Sequence, residues 1–274
     1  MGGSAAVNGG CPPYTSAPRA AIVQAVSTSQ VARPAIVGDP GPGRPAGVVD
    51  VLEADRDLAA AASEGAGGVP ALPAVAIDVP RGPWVPPPEA SHDVLGLLVL
   101  SGLLIRRTTC GEASSDELIG PGDLLRPWLV EHDGLIVSGA EWEVIEDCRF
   151  ALLNGNAARL CGARPAVLSE LLDRTLARSR RQALQKMIAT AATGIEDRVL
   201  LLFAHLAERW GRVSPDGVLV ALPLTHAVIA SLVGARRPTV TSALSELRDS
   251  ARLRRTPAGW LLTDVGRAHL PRLS

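Results

Sequence analysis

Residues 225–245, THAVIASLVGARRPTVTSALS, contain two short helical patterns separated by Gly234. Glycine takes a positive φ without steric cost, so Gly234 marks the end of the first helix. Pro238 favours the start of the second helix, because the missing N–H of proline costs nothing in the first turn. The apolar spacing predicts that the buried side chains are Val228, Ile229, Leu232 and Val233 in the first helix and Val240, Ala243, Leu244 and Leu247 in the second.

The side chains outside the second buried stripe are small, polar or basic. They are Arg237, Thr239, Thr241, Ser242 and Ser245. Such a face is typical of a recognition helix that enters the DNA major groove. An ordinary αα-hairpin has the same apolar spacing and is the alternative interpretation of these residues alone.

The segment that follows, RLRRTPAGWLLT at 252–263, predicts two short strands at 253–256 and 260–263, joined by a turn at Pro257-Ala258-Gly259. A basic hairpin after a recognition helix indicates the wing of a winged helix. Residues 222–274 hold eight arginines and three acidic residues, a formal charge of +5, whereas the whole chain carries −1. Positive charge is therefore concentrated on the segment that would meet phosphate groups.

Composition argues against several other classes of protein. No apolar run reaches the roughly 18–20 residues that span a bilayer, and the N-terminus lacks the pattern of a secretory signal, so we expect a cytoplasmic protein with no membrane partner. The four cysteines form no pair with metal-ligand spacing, and we predict no metal site and no cofactor. The five histidines are scattered, and no catalytic triad, phosphate loop or paired-histidine motif occurs, which argues against an enzyme.

Residues 1–46 are rich in Gly, Ala, Pro and Ser and are interpreted as a disordered tail. A helical pattern follows at 48–62. Within the next predicted domain, 47–164, short apolar runs with frequent turn signals indicate an antiparallel β-roll. The predicted strands are 75–79, 94–100, 103–108, 116–119, 135–138, 142–146 and 149–153, and the clearest turns are Ser101-Gly102 and Pro121-Gly122-Asp123.

Residues 165–193, PAVLSELLDRTLARSRRQALQKMIATAAT, form the longest helical pattern, between Pro165 and Gly194. Its apolar seam consists of Leu168, Leu172, Leu176, Ala183 and Met187. A long helix with such a seam suits pairing with its own copy, and we predict a dimerisation helix. The alternative is a helix that packs its seam on its own domain. Residues 194–274 are the predicted winged helix-turn-helix domain, with an amphipathic helix at 195–211 and a strand at 218–222.

This order of parts, with LIGPGDLLRPW at 118–128 and LTHAVIASLVGARRPTVTSALSELRD at 224–249, resembles the Crp/Fnr superfamily of bacterial transcription regulators. The resemblance covers about residues 75–265. It implies an α+β fold: an N-terminal antiparallel β-roll of the double-stranded β-helix or jelly-roll type, a long dimerisation helix and a C-terminal winged helix-turn-helix. It also implies a homodimer that binds a near-palindromic DNA operator and works with RNA polymerase.

The resemblance places Arg237 where many members carry a base-contacting arginine, which can bond the O6 and N7 atoms of guanine together. The full set of predicted DNA-binding residues is Arg236, Arg237, Thr239, Thr241, Ser242, Arg254 and Arg255. Pro238 replaces a residue that is often glutamate, so we expect a different recognised sequence. A protein–protein scaffold that does not recognise a DNA sequence is the alternative function, and the charge of residues 222–274 argues against it.

The chain departs from members that bind cyclic nucleotides. Those members carry a Gly-Glu pair after the Gly-Asp turn and an Arg-Ser-Ala-like segment before the next strand. Here the corresponding residues are Arg126-Pro127 and Ser138-Gly139-Ala140-Glu141, so we expect no response to cyclic AMP. The clustered cysteines of the iron–sulfur relatives are also missing. Arg126, Trp128 and Trp142 could form a pocket for another effector, whereas a degenerate roll with both tryptophans in its core is the alternative.

Overall fold

The structure is a computed structural model that describes residues 43–63, 71–86, 94–128, 138–191 and 193–270. The elements in chain order are β1 (Arg44–Asp50), α1 (Val51–Ala54), α2 (Arg56–Ser63), β2 (Pro73–Val79), β3 (Gly82–Trp84), β4 (Gly96–Cys110), β5 (Ala113–Ile119), β6 (Leu124–Leu125), β7 (Gly139–Leu153), α3 (Gly155–Gly162), α4 (Pro165–Thr190), α5 (Ile195–Trp210), β8 (Gly211–Ser214), β9 (Gly217–Val220), α6 (His226–Leu232), α7 (Arg237–Asp249), β10 (Leu253–Thr256), β11 (Gly259–Thr263) and α8 (Asp264–Ala268). Among these helices, none has the combination of length and apolar character needed to cross a membrane.

The roll is an antiparallel sheet in the order β1-β2-β7-β4-β5, with β3 paired to β7 and β6 paired to β4. The strands β4 and β7 have 15 residues each and pair along most of their length. The predicted turn at Ser101-Gly102 is wrong, because β4 continues through a bulge there. Gly102 has φ +86°, and a Cβ at this position would lie 2.2 Å from the carbonyl oxygen of Asp147, so the bulge needs glycine.

The separate strands predicted at 142–146 and 149–153 are likewise one strand, β7. The sequence pattern also missed β3 and the helix α3, and the predicted strand 135–138 lies almost wholly outside the described residues. The turn at Pro121-Gly122-Asp123 is confirmed. There the Asp123 carboxylate accepts a hydrogen bond from the N–H of Gly120 at 3.0 Å, which closes the turn on itself.

The first described strand begins inside the stretch that was assigned to the tail. Residues 44–46 belong to β1, which pairs with β2, and the rest of the predicted tail lies outside the described residues. The single helix expected at 48–62 is a strand end followed by two helices. Two aspartates divide it: Asp50 accepts from the N–H of Leu52 at 3.0 Å, and Asp55 accepts from the N–H of Leu58 at 3.1 Å, so each begins a new helix.

The winged helix-turn-helix consists of the helices α5 to α8 and a small sheet in the order β10-β11-β9-β8. Thr225 caps α6, because its hydroxyl accepts from the N–H of Val228 at 3.2 Å. Gly234 has φ +64° in the turn before α7, as the sequence predicted. The hairpin of β10 and β11 is the predicted wing. The prediction of an α+β fold with an antiparallel sheet domain, a long helix and a winged helix-turn-helix is thereby confirmed.

The winged helix and the roll share one apolar core. The roll contributes four buried side chains to this cluster, and the larger share comes from α5, α6, α7 and the small sheet. The four are Leu103, Ile105, Leu118 and Ile145. Because this core is continuous, the winged helix is held directly against the sheet domain rather than connected to it by a free linker.

Candidate nucleic-acid interface

The helix α7 presents the predicted DNA-binding face to solvent. Its buried stripe is the predicted one, Val240, Ala243, Leu244 and Leu247. The predicted DNA-binding residues on the other side are all exposed: Arg236, Arg237, Thr239, Thr241 and Ser242. Arg236 occupies the N-cap position, and its side chain makes no cap hydrogen bond. The Arg236 side chain therefore does not occupy the first N–H groups of α7. The helix therefore offers a basic, hydroxyl-rich surface at its N-terminal end.

The hydroxyl of Thr241 is fixed by two neighbours. It donates to the carbonyl oxygen of Arg237 at 3.0 Å. Nδ1 of His226 lies 3.0 Å from the hydroxyl oxygen of Thr241. A hydroxyl has one proton, so the two hydrogen bonds form together when His226 is in the tautomer that carries its proton on Nδ1. In that tautomer the Thr241 oxygen has acceptor capacity only. The sequence did not reveal this contact, because the two residues belong to different helices.

The wing carries two of the predicted arginines, and they differ in how firmly they are held. Arg254 and Asp216 are both largely exposed and 3.4 Å apart, so this ion pair is weak. The guanidinium of Arg255 lies over the ring of Trp260 at 4.9 Å, a cation–π contact. Trp260 is buried, and its Nε1 donates to the carbonyl oxygen of Leu224 at 3.2 Å. The core tryptophan thus orients Arg255.

An open cleft of about 750 Å³ separates this surface from the roll. Arg237 and Arg255 line one wall, and Arg81 and Ile145 of the roll line the other. No acidic side chain is among the described residues that line it. The cleft is thus positively charged. Sequence reasoning missed Arg81, because the turn between β2 and β3 approaches α7 only in the folded chain.

The predicted seam of α4 faces away from the chain's own core. Leu172, Leu176 and Met187 are 57%, 63% and 59% exposed. Ala183 is also exposed, and Leu168 is half-buried. The buried residues of α4 lie on its other side: Val167 and Leu171 belong to an apolar cluster of the sheet domain, and Gln185 donates to the carbonyl oxygen of Asp116 on β5. The helix therefore rests on its own domain, but not through the predicted seam, which is left as an apolar stripe on the surface.

The three residues of the predicted effector pocket differ in burial. Arg126 is exposed, whereas Trp142 is buried and Trp128 packs at the edge of the same apolar cluster. Trp84 fills the space beside Trp142: their ring centroids are 5.7 Å apart, and Trp84 also stacks on Phe150 at 5.1 Å. The two predicted tryptophans thus belong to an aromatic core. No described group of three or more His, Cys, Asp or Glu residues could hold a metal ion.

The fold and the exposed face of α7 define a winged helix-turn-helix protein with an N-terminal roll. Comparison with known proteins gives the same class: the family described as the Crp-like helix-turn-helix domain matches residues 197–267. The regulatory protein CysR of Synechococcus elongatus is 30% identical over 161 residues, which are 56% of this chain and 68% of CysR. The chain therefore belongs to the Crp/Fnr family of DNA-binding transcription regulators, which are not enzymes.

Two further similarities extend over the roll. The "CRP-like cAMP-activated global transcriptional regulator" of Mycobacterium tuberculosis is 29% identical over 192 residues, 70% of this chain and 85% of that protein. The crystal structure of a cyclic nucleotide-binding domain containing protein from Listeria monocytogenes has a TM-score of 0.56 at 12% identity and covers 69% of this chain and 89% of that one. At this identity the structural likeness concerns the fold.

Proposed function

We propose that the chain is a homodimeric transcription regulator in which each winged helix recognises one half of a near-palindromic operator, without a requirement for cyclic AMP. The observation that carries the proposal is the exposed N-terminal face of α7, with Arg236, Arg237 and three hydroxyl side chains beside a basic wing. Winged helices place this end of the second helix in the major groove. We expect the protein to act in the cytoplasm, with RNA polymerase as its partner.

The side chains divide into groups that contact bases and groups that contact phosphates. Arg237 is free of ion pairs with described residues, so both of its terminal nitrogens are available for a guanine. Thr241 donates its proton to the carbonyl oxygen of Arg237 and can accept a hydrogen bond from DNA, which suits the amino group of adenine or cytosine. Thr239 and Ser242 lie beside them on the same exposed face. Arg236, Arg254, Arg255 and the free N–H groups at the start of α7 would contact phosphates.

The exposed stripe of α4 supports the dimer. Helix α4 has 26 residues and is about 39 Å long at 1.5 Å per residue, and its seam repeats along that length. Large apolar side chains that are more than half exposed are costly in water, and a second copy of the helix would bury them. Two copies that pair along α4 carry two recognition helices related by a two-fold axis, which a palindrome matches.

Three features of the roll argue against cyclic AMP as the effector. Pro127 replaces the glutamate that relatives use for the ribose, and Gly139 to Glu141, which replace the segment that holds the phosphate, are all exposed. Glu141 would repel a phosphate. The aromatic core of Trp84, Trp142 and Phe150 fills the adjacent interior.

Selection of bound sequences from random DNA tests the operator. We expect two inverted half-sites at the spacing of a helical turn, and one half-site or random sequence would contradict the dimer.

Arg237→Ala should remove the preference at one base pair of each half-site and cost about 1–3 kcal/mol per arginine. Arg255→Ala should weaken all sequences alike and reduce the salt dependence. Arg212→Ala is the matched control, because Arg212 lies on β8 at the opposite edge of the small sheet from the wing.

Sedimentation tests the dimer. Leu176→Glu places two like charges in the proposed seam and should shift the protein to monomer. Val213→Glu is the control, because Val213 is 91% exposed on β8, away from α4. Equal behaviour of the two variants would overturn the proposed interface.

Titration calorimetry with cyclic AMP should give no binding heat, and sequence selection should return the same operator with and without the nucleotide.

A further inference from the structure

Two buried carboxylates lie where the roll meets α4 and α5. Glu117 belongs to β5, and Asp123 follows the confirmed turn. Each carboxylate binds two guanidinium groups. The contacts are Arg106 Nη2 to Glu117 at 2.9 Å, Arg178 Nε to Glu117 at 2.8 Å, Arg181 Nη2 to Asp123 at 2.8 Å and Arg209 Nη2 to Asp123 at 2.9 Å. The cluster thus joins strand β4, strand β5, helix α4 and helix α5.

This cluster carries more positive than negative charge. Four guanidinium groups meet two carboxylates among the described residues, an excess of two positive charges. The carboxylates are almost fully buried, and the arginines are mostly so. The other nearby pair, Arg107 with Asp116, is balanced and does not change the excess. The four arginine side chains keep only 15–29% of their surface in water, which screens this excess in part, so a further negative charge nearby would stabilise the cluster.

A small cavity lies within the cluster. The volume open to a water-sized sphere is about 10 Å³. The polar and charged lining consists of Glu117, Arg178, Arg181, Gln182, Gln185, His205 and Arg209, and the one carboxylate in it, Glu117, is already paired with Arg106 and Arg178. A volume of this size holds about one water-sized particle. Nδ1 of His205 is buried and has no hydrogen-bond partner among the described residues. The cavity therefore combines room for one atom, three guanidinium groups and an unsatisfied ring nitrogen.

The positive charges affect the protonation of their neighbours. Burial has the largest effect on the pKa of Arg209 and lowers it, Asp123 raises it, and the nearby charges of Arg181 and Arg178 lower it again. The pKa of His205 is lowered mainly by burial, with further lowering from Arg181 and Arg209 and an opposing effect from the exposed Glu208. A site that discourages additional positive charge favours a bound anion.

We propose that this cavity binds a single halide-sized anion, with chloride as the physiological ion. The space admits one small particle and is too small for phosphate or a carboxylate group. The anion would contact side chains of α4 and of α5, the first helix of the winged domain, and would offset the excess charge that holds them against the roll. It would therefore strengthen the attachment of the winged domain to the sheet domain. The proposal does not depend on the DNA-binding function.

Thermal unfolding in sodium chloride and in sodium gluconate at equal ionic strength tests the site. We expect a melting temperature that rises with chloride and saturates, because a ligand of the folded state stabilises it. Crystals grown with bromide should show one anomalous peak in the cavity. Equal melting temperatures in the two salts, or a water molecule in place of the bromide peak, would overturn the proposal.

Three variants locate the effect. Gln182→Glu adds a carboxylate to the cavity lining at nearly constant size, so it should raise the melting temperature in gluconate and abolish the response to chloride. Arg181→Gln should weaken chloride binding about tenfold or more, since one charge-assisted hydrogen bond is lost. Arg180→Gln is the control, because Arg180 is exposed on the same helix and does not line the cavity.

The Gln182→Glu variant keeps the test decisive if Arg181→Gln does not fold. A Gln182→Glu protein that is less stable than the parent in gluconate, or that still responds to chloride, would refute the site. A control variant that loses the chloride response to the same extent as Arg181→Gln would also refute it, because the effect would then reflect surface charge alone.

Discussion

Removal of the Asp123 carboxylate should loosen the joint between the roll and the winged helix. Asp123 is 1% exposed, and its side chain accepts from Arg181, from Arg209 and from the N–H of Gly120. In Asp123→Ala both guanidinium groups lose a partner in a site that water reaches poorly. The loss of one partner of a buried ion pair costs about 3–5 kcal/mol. Arg181 and Arg209 keep some contact with water, so we expect the lower end, about 3 kcal/mol.

For a chain of this size a loss of about 3 kcal/mol corresponds to a melting temperature lower by roughly 6–12 °C. Urea unfolding followed by tryptophan fluorescence measures the free energy directly. The matched control is Asp216→Ala, which removes a mostly exposed pair with Arg254 and should cost at most about 0.5 kcal/mol. Asp123→Ala and Asp216→Ala of equal stability would refute the reasoning. The double variant with Arg209→Ala should be less destabilised than the sum of the single variants, because one unpaired charge is then removed.

Two further substitutions test other parts of the roll. Burial, the largest influence, raises the pKa of Asp55, but hydrogen bonds from Arg174 and from the N–H of Leu58 outweigh it and lower the pKa. A carboxyl with a lowered pKa contributes stability above its unfolded pKa of about 3.9 and loses it as the pH falls further, so Asp55→Asn should be destabilised relative to the parent at pH 6 and much less so near pH 3 in acid unfolding. Asp57→Asn, at an exposed position, should keep the parent profile. Gly102→Ala should cost at least about 2 kcal/mol in urea unfolding, because positive φ and the Asp147 carbonyl oppose a Cβ; Gly162→Ala, with open space around it, should be neutral or slightly stabilising.

The winged helix was predictable because its signals are local. A capping threonine, a glycine in the turn, a proline at the start of α7 and apolar spacing all act within a few residues. The long strands were less predictable. Ser101-Gly102 has the composition of a turn, and only the partner strand shows that it is a bulge, since the Asp147 carbonyl occupies the place of a side chain. The same limit applies to β3, whose three residues are a strand only because β7 lies beside them.

The residues that join the domains could not be found in this way. Arg178, Arg180 and Arg181 are the same residue type on the same helix, so the sequence does not distinguish them. In the fold, Arg178 and Arg181 each pair with a buried carboxylate, whereas Arg180 is exposed. The ion pairs span about 60 residues of chain, and His226 meets Thr241 across two helices.

The amino-acid sequence by itself determined the winged helix, the long helix and the basic character of the DNA-binding segment. Each of these follows from neighbouring residues or from composition. Only the tertiary structure decided which face of α4 stays open, which arginines are buried and what surrounds Arg237. Those properties depend on burial and on partners far away in the chain, and residue type alone does not specify either.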